Sequence, residues 1–348
     1  MERRRLGRTD IDVSVLCLGT MMYGDQINEA DAFHQMDVCL ERGVDFFDTA
    51  EMYTVPPKPE TQGNSERIVG KWMSDRGVRD KIVLATKVAG RAPFTWLRED
   101  GGETRLSTEQ IKFAVEGSLE RLGTDYIDLY QTHWPDRGVQ NFGGILHGYR
   151  HYEDNFIALE ETLRAMEDLV KEGKVRYFGV SNETPWGVME MLRLSDAQQL
   201  PRVQSIQNAY SFINRTFEMG LAEVAMQEHV GLLAYSPIAQ GVLTGKYLDG
   251  AKPEGARGTL YGRLGRYETT AAEGAIRDYV ALAAKYDVDP AAFALQFVNT
   301  RPFVTSNIFG ARGDTQLETA LSSVDLNWTA EMENAVHAIH AGNQNPCP

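Results

Sequence analysis

The sequence predicts an α/β fold of the (β/α)8 TIM barrel class, with long loops at the C-terminal face and a C-terminal tail, as one domain over residues 1–348. Three observations predict it. Short runs rich in β-branched and aromatic residues recur along the chain, most are followed by a stretch with helical apolar spacing, and eight such units can be counted. A length of 348 residues fits one barrel or two ordinary domains. The alternation decides between them, because no linker, internal repeat or low-complexity tract divides the chain.

In order, the strand candidates are residues 13–18 (VSVLCL), 44–49 (VDFFDT), 82–87 (IVLATK), 126–132 (YIDLYQT), 175–180 (VRYFGV), 204–208 (QSIQN), 231–236 (GLLAYS) and 305–310 (TSNIFG). Helices are expected at about 29–42, 65–76, 107–122, 156–172, 184–195, 216–228, 271–286 and 314–323. Ser107, with Glu109 and Gln110 in the first turn, marks one helix start; Asn182, with Glu183 and Pro185, marks another. Residues 90–106, 134–155 and 237–270 are too long for plain turns and follow strands, on the side where barrels carry their sites. Residues from about Thr329 to Pro348 read as a helical stretch with a polar end.

A formal charge of −14 argues against nucleic acid or an anionic membrane surface as partner, and favours a small neutral substrate. No run has the length of a membrane span or of a signal-peptide core. Three cysteines, Cys17 in a strand, Cys39 in a helix and Cys347 in the tail, do not make a disulfide framework, so a reducing cytoplasm is expected. Nothing in the sequence specifies an oligomer or excludes one.

With strands two to four so placed, Asp48, Lys87 and His133 stand at or just past strand C-terminal ends, and Tyr53 lies in the loop after strand two. All four face one mouth. Reduction of a carbonyl needs a proton for an oxygen that gains negative charge, and a free tyrosine, with a pKa near 10, is a reluctant acid. A lysine ammonium about 4 Å away favours tyrosinate by roughly 4 kcal/mol at an effective dielectric of about 20, before burial offsets part of it. Asp48 would keep Lys87 charged, and His133 would hydrogen-bond the substrate oxygen or relay a proton. Taken singly, each residue also has an ordinary reading as a helix cap, a packing ring or a surface polar group.

No Gly-x-Gly-x-x-Gly fingerprint and no Walker loop occurs, so a bound nucleotide needs another phosphate cradle. The stretch YSPIAQGVLTGK, residues 235–246, offers amides around Gly241 and Gly245, hydroxyls of Ser236 and Thr244, and the ammonium of Lys246, with Arg257 on the same loop. Gly310, Ala311, Arg312 and Gln316 lead from strand eight into a helix N-terminus suited to phosphate, where Arg312 would read a 2′-phosphate. A flexible glycine-rich loop with incidental charges is the alternative.

Nearly the whole chain resembles the aldo-keto reductase family, within it the Tas-like and potassium-channel β-subunit-like branch. The motifs LGTMMYG, FFDTAEMY, VLATKV, DYIDLYQTHWP, FGVSNE, IQNAYS, LLAYSPIAQGVLTGKY and IFGAR follow the family pattern in order, and VPPKPETQG at 55–63 is similar to the Tas-like branch in particular. The resemblance implies Asp48, Tyr53, Lys87 and His133 as a catalytic tetrad and NADPH/NADP+ as cofactor. It implies Gly19, Thr20, Met21, Gln26 and Asp48 at the nicotinamide end, Ser181, Asn182 and Gln207 on the carboxamide, and Tyr235 stacked on the ring. Ser236, Pro237, Gln240, Gly241, Lys246 and Arg257 would belt the pyrophosphate and ribose, with Gly310, Arg312 and Gln316 at the adenosine end. Thr319 and Ala320 replace the family's usual Glu-Asn pair, which removes two adenine contacts.

The reading that follows is an NADP(H)-dependent enzyme reducing an aldehyde or ketone, of the alcohol:NADP+ oxidoreductase type. Met22, Tyr23, Trp134 and the 135–154 loop are expected to shape the substrate pocket, with broad and weak specificity. A glycosidase lacks its carboxylate pair, and the His147/His151 and His337/His340 pairs read as surface histidines, so no metal site is expected. The rival is an NADPH-binding regulatory or sensor protein, since β-subunit relatives keep a complete tetrad.

Overall fold

The computed structural model describes residues 1–262 and 264–348. Strands β1 (Arg3–Arg5) and β2 (Asp12–Ser14) form an antiparallel pair. The next eight are β3 (Leu16–Gly19), β4 (Phe46–Asp48), β5 (Val83–Val88), β6 (Ile127–Thr132), β7 (Val175–Ser181), β8 (Val203–Ala209), β9 (Gly231–Tyr235) and β10 (Val304–Phe309). They close a parallel barrel in chain order, with β10 returning to β3. Every predicted strand overlaps one of them. The predicted first strand, 13–18, divides in two: β2 pairs with β1, and β3 enters the barrel. Leu6, Ile11 and Val13 of the hairpin pack onto Cys17, Phe46, Val83, Ala85, Leu129, Leu233 and Ile308 inside the bore. Plug and barrel wall are both apolar, so hydrophobic pattern carries no mark of the junction.

The helices are α1 (Glu29–Glu41), α2 (Asn64–Arg76), α3 (Thr108–Leu122), α4 (Leu159–Lys171), α5 (Pro185–Gln198), α6 (Leu221–Glu228), α7 (Arg257–Tyr261), α8 (Thr270–Lys285), α9 (Pro290–Asn299), α10 (Asp314–Ser322) and α11 (Ala330–Gly342). Ser107 caps α3 by accepting from the Gln110 amide, as predicted. Thr184, not Asn182, caps α5, with Pro185 in its first turn. The predicted helix at 216–228 starts with a 3-10 turn, Thr216–Met219, and becomes α-helical only after Gly220.

The predicted seventh helix, 271–286, exists as α8, but it is an addition to the barrel. It packs against α11 and the 239–244 turn, while α9, which the sequence did not predict, covers β10 beside α10. Asp289 caps α9 by accepting from the amides of Ala291 and Ala292. Its buried Phe293, Ala294, Leu295, Phe297 and Val298 leave only Gln296 and Asn299 as polar side chains, too little contrast for periodicity to mark it.

Side chains alternate across each strand, so residues two apart share the bore. Phe46 and Asp48, Ala85 and Lys87, Leu129 and Gln131, Leu233 and Tyr235 are such pairs: apolar below, polar at the C-terminal rim. Register sets Asp48 beside Ala85, Lys87 beside Gln131, Ser181 beside Gln207 and Ala209 beside Tyr235. Gly179 faces inward where a Cβ would lie 2.5 Å from Ser205 Oγ and 3.2 Å from Gln131 Cγ. A larger residue there would press on the polar layer.

Candidate active site

Lys87 is fully buried, and its ammonium donates to Asp48 Oδ2 at 2.6 Å, to the Thr49 carbonyl at 2.7 Å and to the Tyr53 hydroxyl at 3.5 Å. The other carboxylate oxygen of Asp48 accepts from Gln207 Nε2 at 2.9 Å and Gln131 Nε2 at 3.3 Å. Thr20 Oγ1 donates to the Asp48 carbonyl, holding the end of β4. A buried ion pair survives when its remaining donors and acceptors are satisfied, and here they are. Burial works against the charge on Lys87, but Asp48 and Tyr53 outweigh it and raise its pKa above the ordinary lysine value.

Tyr53 differs from the sequence expectation in sign. Its burial raises the phenol pKa by more than Lys87 lowers it, so Tyr53 holds its proton. The His133 ring meets Tyr53 edge-on, centroids 5.5 Å apart. Burial and then the charge of Lys87 press its pKa well below the ordinary histidine value, so the imidazole is neutral. Its Nδ1 is sealed from solvent with no hydrogen-bond partner among the described residues. The four predicted catalytic residues thus meet around one point.

Asn182, with φ 53, donates to the His133 carbonyl at 2.8 Å and accepts from the Tyr235 hydroxyl at 2.6 Å. Ser181 Oγ donates to the Gln207 carbonyl. These residues line the rim between His133 and Tyr235. On the opposite side Met21 packs with Tyr53, Leu97, Phe94 and Trp134, and Gln26 donates to the Val55 carbonyl. Gly19 lies against Ile308 and Phe309. Trp134 is fixed by its indole N–H on the Arg91 carbonyl, and a Cβ on Gly90 would lie 2.0 Å from the Trp134 carbonyl oxygen, so only glycine fits there.

Two predicted pocket residues are elsewhere. Tyr23 is buried in the core and donates to Gln35 of α1 at 3.1 Å; Met22 is also buried, its methyl toward Gly310. The chain turns inward immediately after Met21, a reversal that the string LGTMMYG does not signal. Conversely, Gln131, the Thr49 carbonyl and Arg266, which donates to the Tyr235 hydroxyl at 3.2 Å, belong to the site and were not predicted. Gln131 was legible as the inward position two residues after Leu129. Arg266 carried no signal.

The 236–245 turn repeatedly enters the left-handed region, at Ser236 (φ 57), Ala239 (φ 49), Gln240 (φ 58), Gly241 (φ 88) and Gly245 (φ 78). Non-glycine residues held there cost about 1–3 kcal/mol each, and such strain concentrates where backbone amides are aimed at a ligand. Pro237 is buried within the turn. Lys246 lies beneath Gly241, whose Cβ would sit 2.6 Å from the ammonium. Burial, then nearby Arg312, lowers the Lys246 pKa. Arg257, on α7, is partly buried, and Arg312 is exposed at the start of α10, where its amide donates to Gln316 Oε1. None of these three cations reaches a carboxylate among the described residues, although the chain has 49 acidic residues. Cations without a carboxylate partner among the described residues, one of them against Gly241 of the strained turn, fit a phosphate-bearing cofactor. At the far end Ala320 is buried and Thr319 Oγ1 donates to the Thr315 carbonyl of its own helix.

Among the described residues there is no cluster of three or more metal-ligating side chains, and no helix is long and apolar enough to cross a membrane. His147 and His151 are exposed, and His337 pairs with Glu333.

Residues 15–341 match the model of the aldo/keto reductase family. The chain is 44% identical to "Protein tas" of Escherichia coli (strain K12) over 351 aligned positions, covering all of both chains. It is 39% identical to an "Aldo-keto reductase" of Babesia bovis over 75% of this chain and 96% of that protein. It is 28% identical to a "Probable voltage-gated potassium channel subunit beta" of Arabidopsis thaliana over 94% of this chain and 92% of that one.

Proposed function

The chain belongs to the aldo/keto reductase family, and from that premise we propose that it is an NADPH-dependent oxidoreductase that reduces aldehydes or ketones to alcohols. The observation that carries the reading is the buried Tyr53 hydroxyl 3.5 Å from the ammonium of a sealed Lys87–Asp48 pair, with the His133 ring edge-on to it. When bound, the nicotinamide supplies a hydride to the carbonyl carbon. Tyr53 donates the proton to the carbonyl oxygen, and Lys87 stabilises the phenolate left behind. Asp48 holds Lys87 charged and in place. His133, neutral, hydrogen-bonds the carbonyl oxygen without competing as an acid.

Ser181, Asn182 and Gln207 would orient the nicotinamide, with Tyr235 against its face and Gly19, Thr20, Met21 and Gln26 bordering it. The 236–241 turn, Lys246 and Arg257 would hold the pyrophosphate. Gly310, Arg312 and Gln316 would take the adenosine end, Arg312 favouring a 2′-phosphate over none. Trp134, Phe94 and Met21 give the carbonyl compound an apolar wall. All three cysteines are free and buried, which supports a reducing compartment such as the cytoplasm.

The test is NADPH absorbance loss with a panel of aromatic and aliphatic aldehydes, wild type against Tyr53→Phe. Turnover by the wild type, cut about 10²-fold or more in a variant that still binds NADPH, supports Tyr53 as the acid. A relative named as a channel β-subunit motivates the second reading, a cofactor-binding regulatory protein. Tight NADPH binding with no consumption by either protein would favour it.

A further inference from the structure

Every partly or fully buried lysine or arginine among the described residues reaches a carboxylate within 4.0 Å, with three exceptions. Arg98 with Glu51 at 2.9 Å and Arg121 with Glu66 at 2.6 Å typify the rule. The exceptions are Lys246, Arg257 and Arg266, all on the long 237–270 loop. Lys246 lies against Gly241 of the proposed phosphate cradle, and the proposed function assigns Arg257 to the same pyrophosphate. Arg266 is left over.

Its guanidinium has five donors and makes one hydrogen bond among the described residues, to the Tyr235 hydroxyl. Three rings surround it: Phe142 at 5.6 Å, Tyr267 at 5.8 Å and Tyr235 at 5.9 Å from centroid to Cζ. Aromatic faces stabilise a cation but leave its in-plane N–H groups unpaired. Arg266 is only partly buried, and none of those groups is both sealed from solvent and unpartnered among the described residues. The location is also informative. Tyr235 connects through Asn182 to the His133 carbonyl, and Phe142 belongs to the loop that the sequence expects to shape the substrate pocket.

We propose that Arg266 receives an anionic group on the substrate, so that the preferred carbonyl compounds carry a carboxylate remote from the carbon that is reduced. The inference rests on the reductase reading and replaces the expectation of a neutral substrate. A net charge of −14 acts through solvent and is screened within about 8–10 Å, whereas a guanidinium at the mouth acts by contact. The reaction itself is unchanged: hydride to carbon, proton from Tyr53 to oxygen, carboxylate unaltered.

The experiment compares 4-carboxybenzaldehyde with benzaldehyde in wild type, Arg266→Met and Arg266→Lys, with NADPH saturating. Loss of a charge-assisted pair predicts a roughly 10- to 100-fold rise in the KM for 4-carboxybenzaldehyde in Arg266→Met, a much smaller change for benzaldehyde, and partial retention in Arg266→Lys. Equal losses on both aldehydes would overturn the proposal, leaving Arg266 as a support for Tyr235. A raised KM for NADPH with an unchanged aldehyde ratio would instead place a cofactor phosphate on Arg266 and overturn it. Calorimetric titration of benzoate into NADP+-loaded protein reads the anion site without turnover. Binding that Arg266→Met abolishes, in a protein that reduces neither aldehyde, would keep the anion site while the reductase reading fails; no benzoate binding to wild type refutes the site.

Discussion

Replacing Lys87 by methionine separates the chemistry of the buried pair from its contribution to stability. At 3.5 Å from the Tyr53 hydroxyl, the ammonium favours a phenolate by about 4–5 kcal/mol at an effective dielectric of about 20. If half of that is realised in the transition state, kcat falls roughly 50-fold, and full expression gives about 10³-fold. The same substitution leaves Asp48, nearly inaccessible, as a buried charge held only by two glutamine amides, at about 3–5 kcal/mol of stability. Adding Asp48→Asn removes that charge and keeps an oxygen for Gln131 and Gln207. The double variant therefore recovers most of the stability, by urea denaturation, and none of the rate, by NADPH consumption under single-turnover conditions. Recovery of rate together with stability would refute the electrostatic role of Lys87 and reduce the pair to scaffolding.

Because burial raises the Tyr53 pKa and lowers that of His133, reduction should show a flat kcat/KM across about pH 6–9 and decline only near or above about pH 10; a stopped-flow pH profile falling below pH 8 would contradict it. Arg312→Ala should raise the KM for NADPH about tenfold and barely change that for NADH, whereas Lys246→Ala should weaken both, which initial-rate kinetics with each cofactor will show. Glu333 ties α11 to Arg301 through hydrogen bonds of 2.7 and 2.6 Å, and that guanidinium, against some burial, draws its pKa down to about 2. A depressed carboxylate stabilises the fold above its unfolded pKa of about 4.5 and loses that contribution as pH falls through about 2, so Glu333→Gln should cost about 1–2 kcal/mol at pH 7 after solvent screening and nothing at the acid limit. Chemical denaturation at several pH values measures the convergence.

The barrel was legible because its strands are short, β-branched and regularly spaced, and the tetrad because Asp48, Lys87 and His133 sit at or just past strand ends, with Tyr53 in the loop that follows Asp48. Two kinds of feature were not. The α9 helix carries only Gln296 and Asn299 as polar side chains, and β2 is a three-residue strand, Asp12–Ser14, one residue away from β3, so neither stands out as a separate periodic segment. The positions of Met22, Tyr23 and Arg266 depend on turns inside loops, where a reversal moves a side chain from mouth to core without changing composition. The Tyr23 hydroxyl on Gln35 and the Arg266 guanidinium on Tyr235 are long-range contacts with no local trace.

Barrel closure also bears on how the chain is made. Strand β3 has β4 on one side and β10, near the other end of the sequence, on the other, with Leu16 in register with Asn307. At a synthesis rate of about 5–20 residues per second, the free edge of β3 waits roughly 15–60 s for that partner. A nascent sheet with an open, apolar edge is a template for pairing with other chains. Substitutions that weaken β10 or its seat should therefore lower the yield of soluble protein more than the specific activity of the molecules that do close.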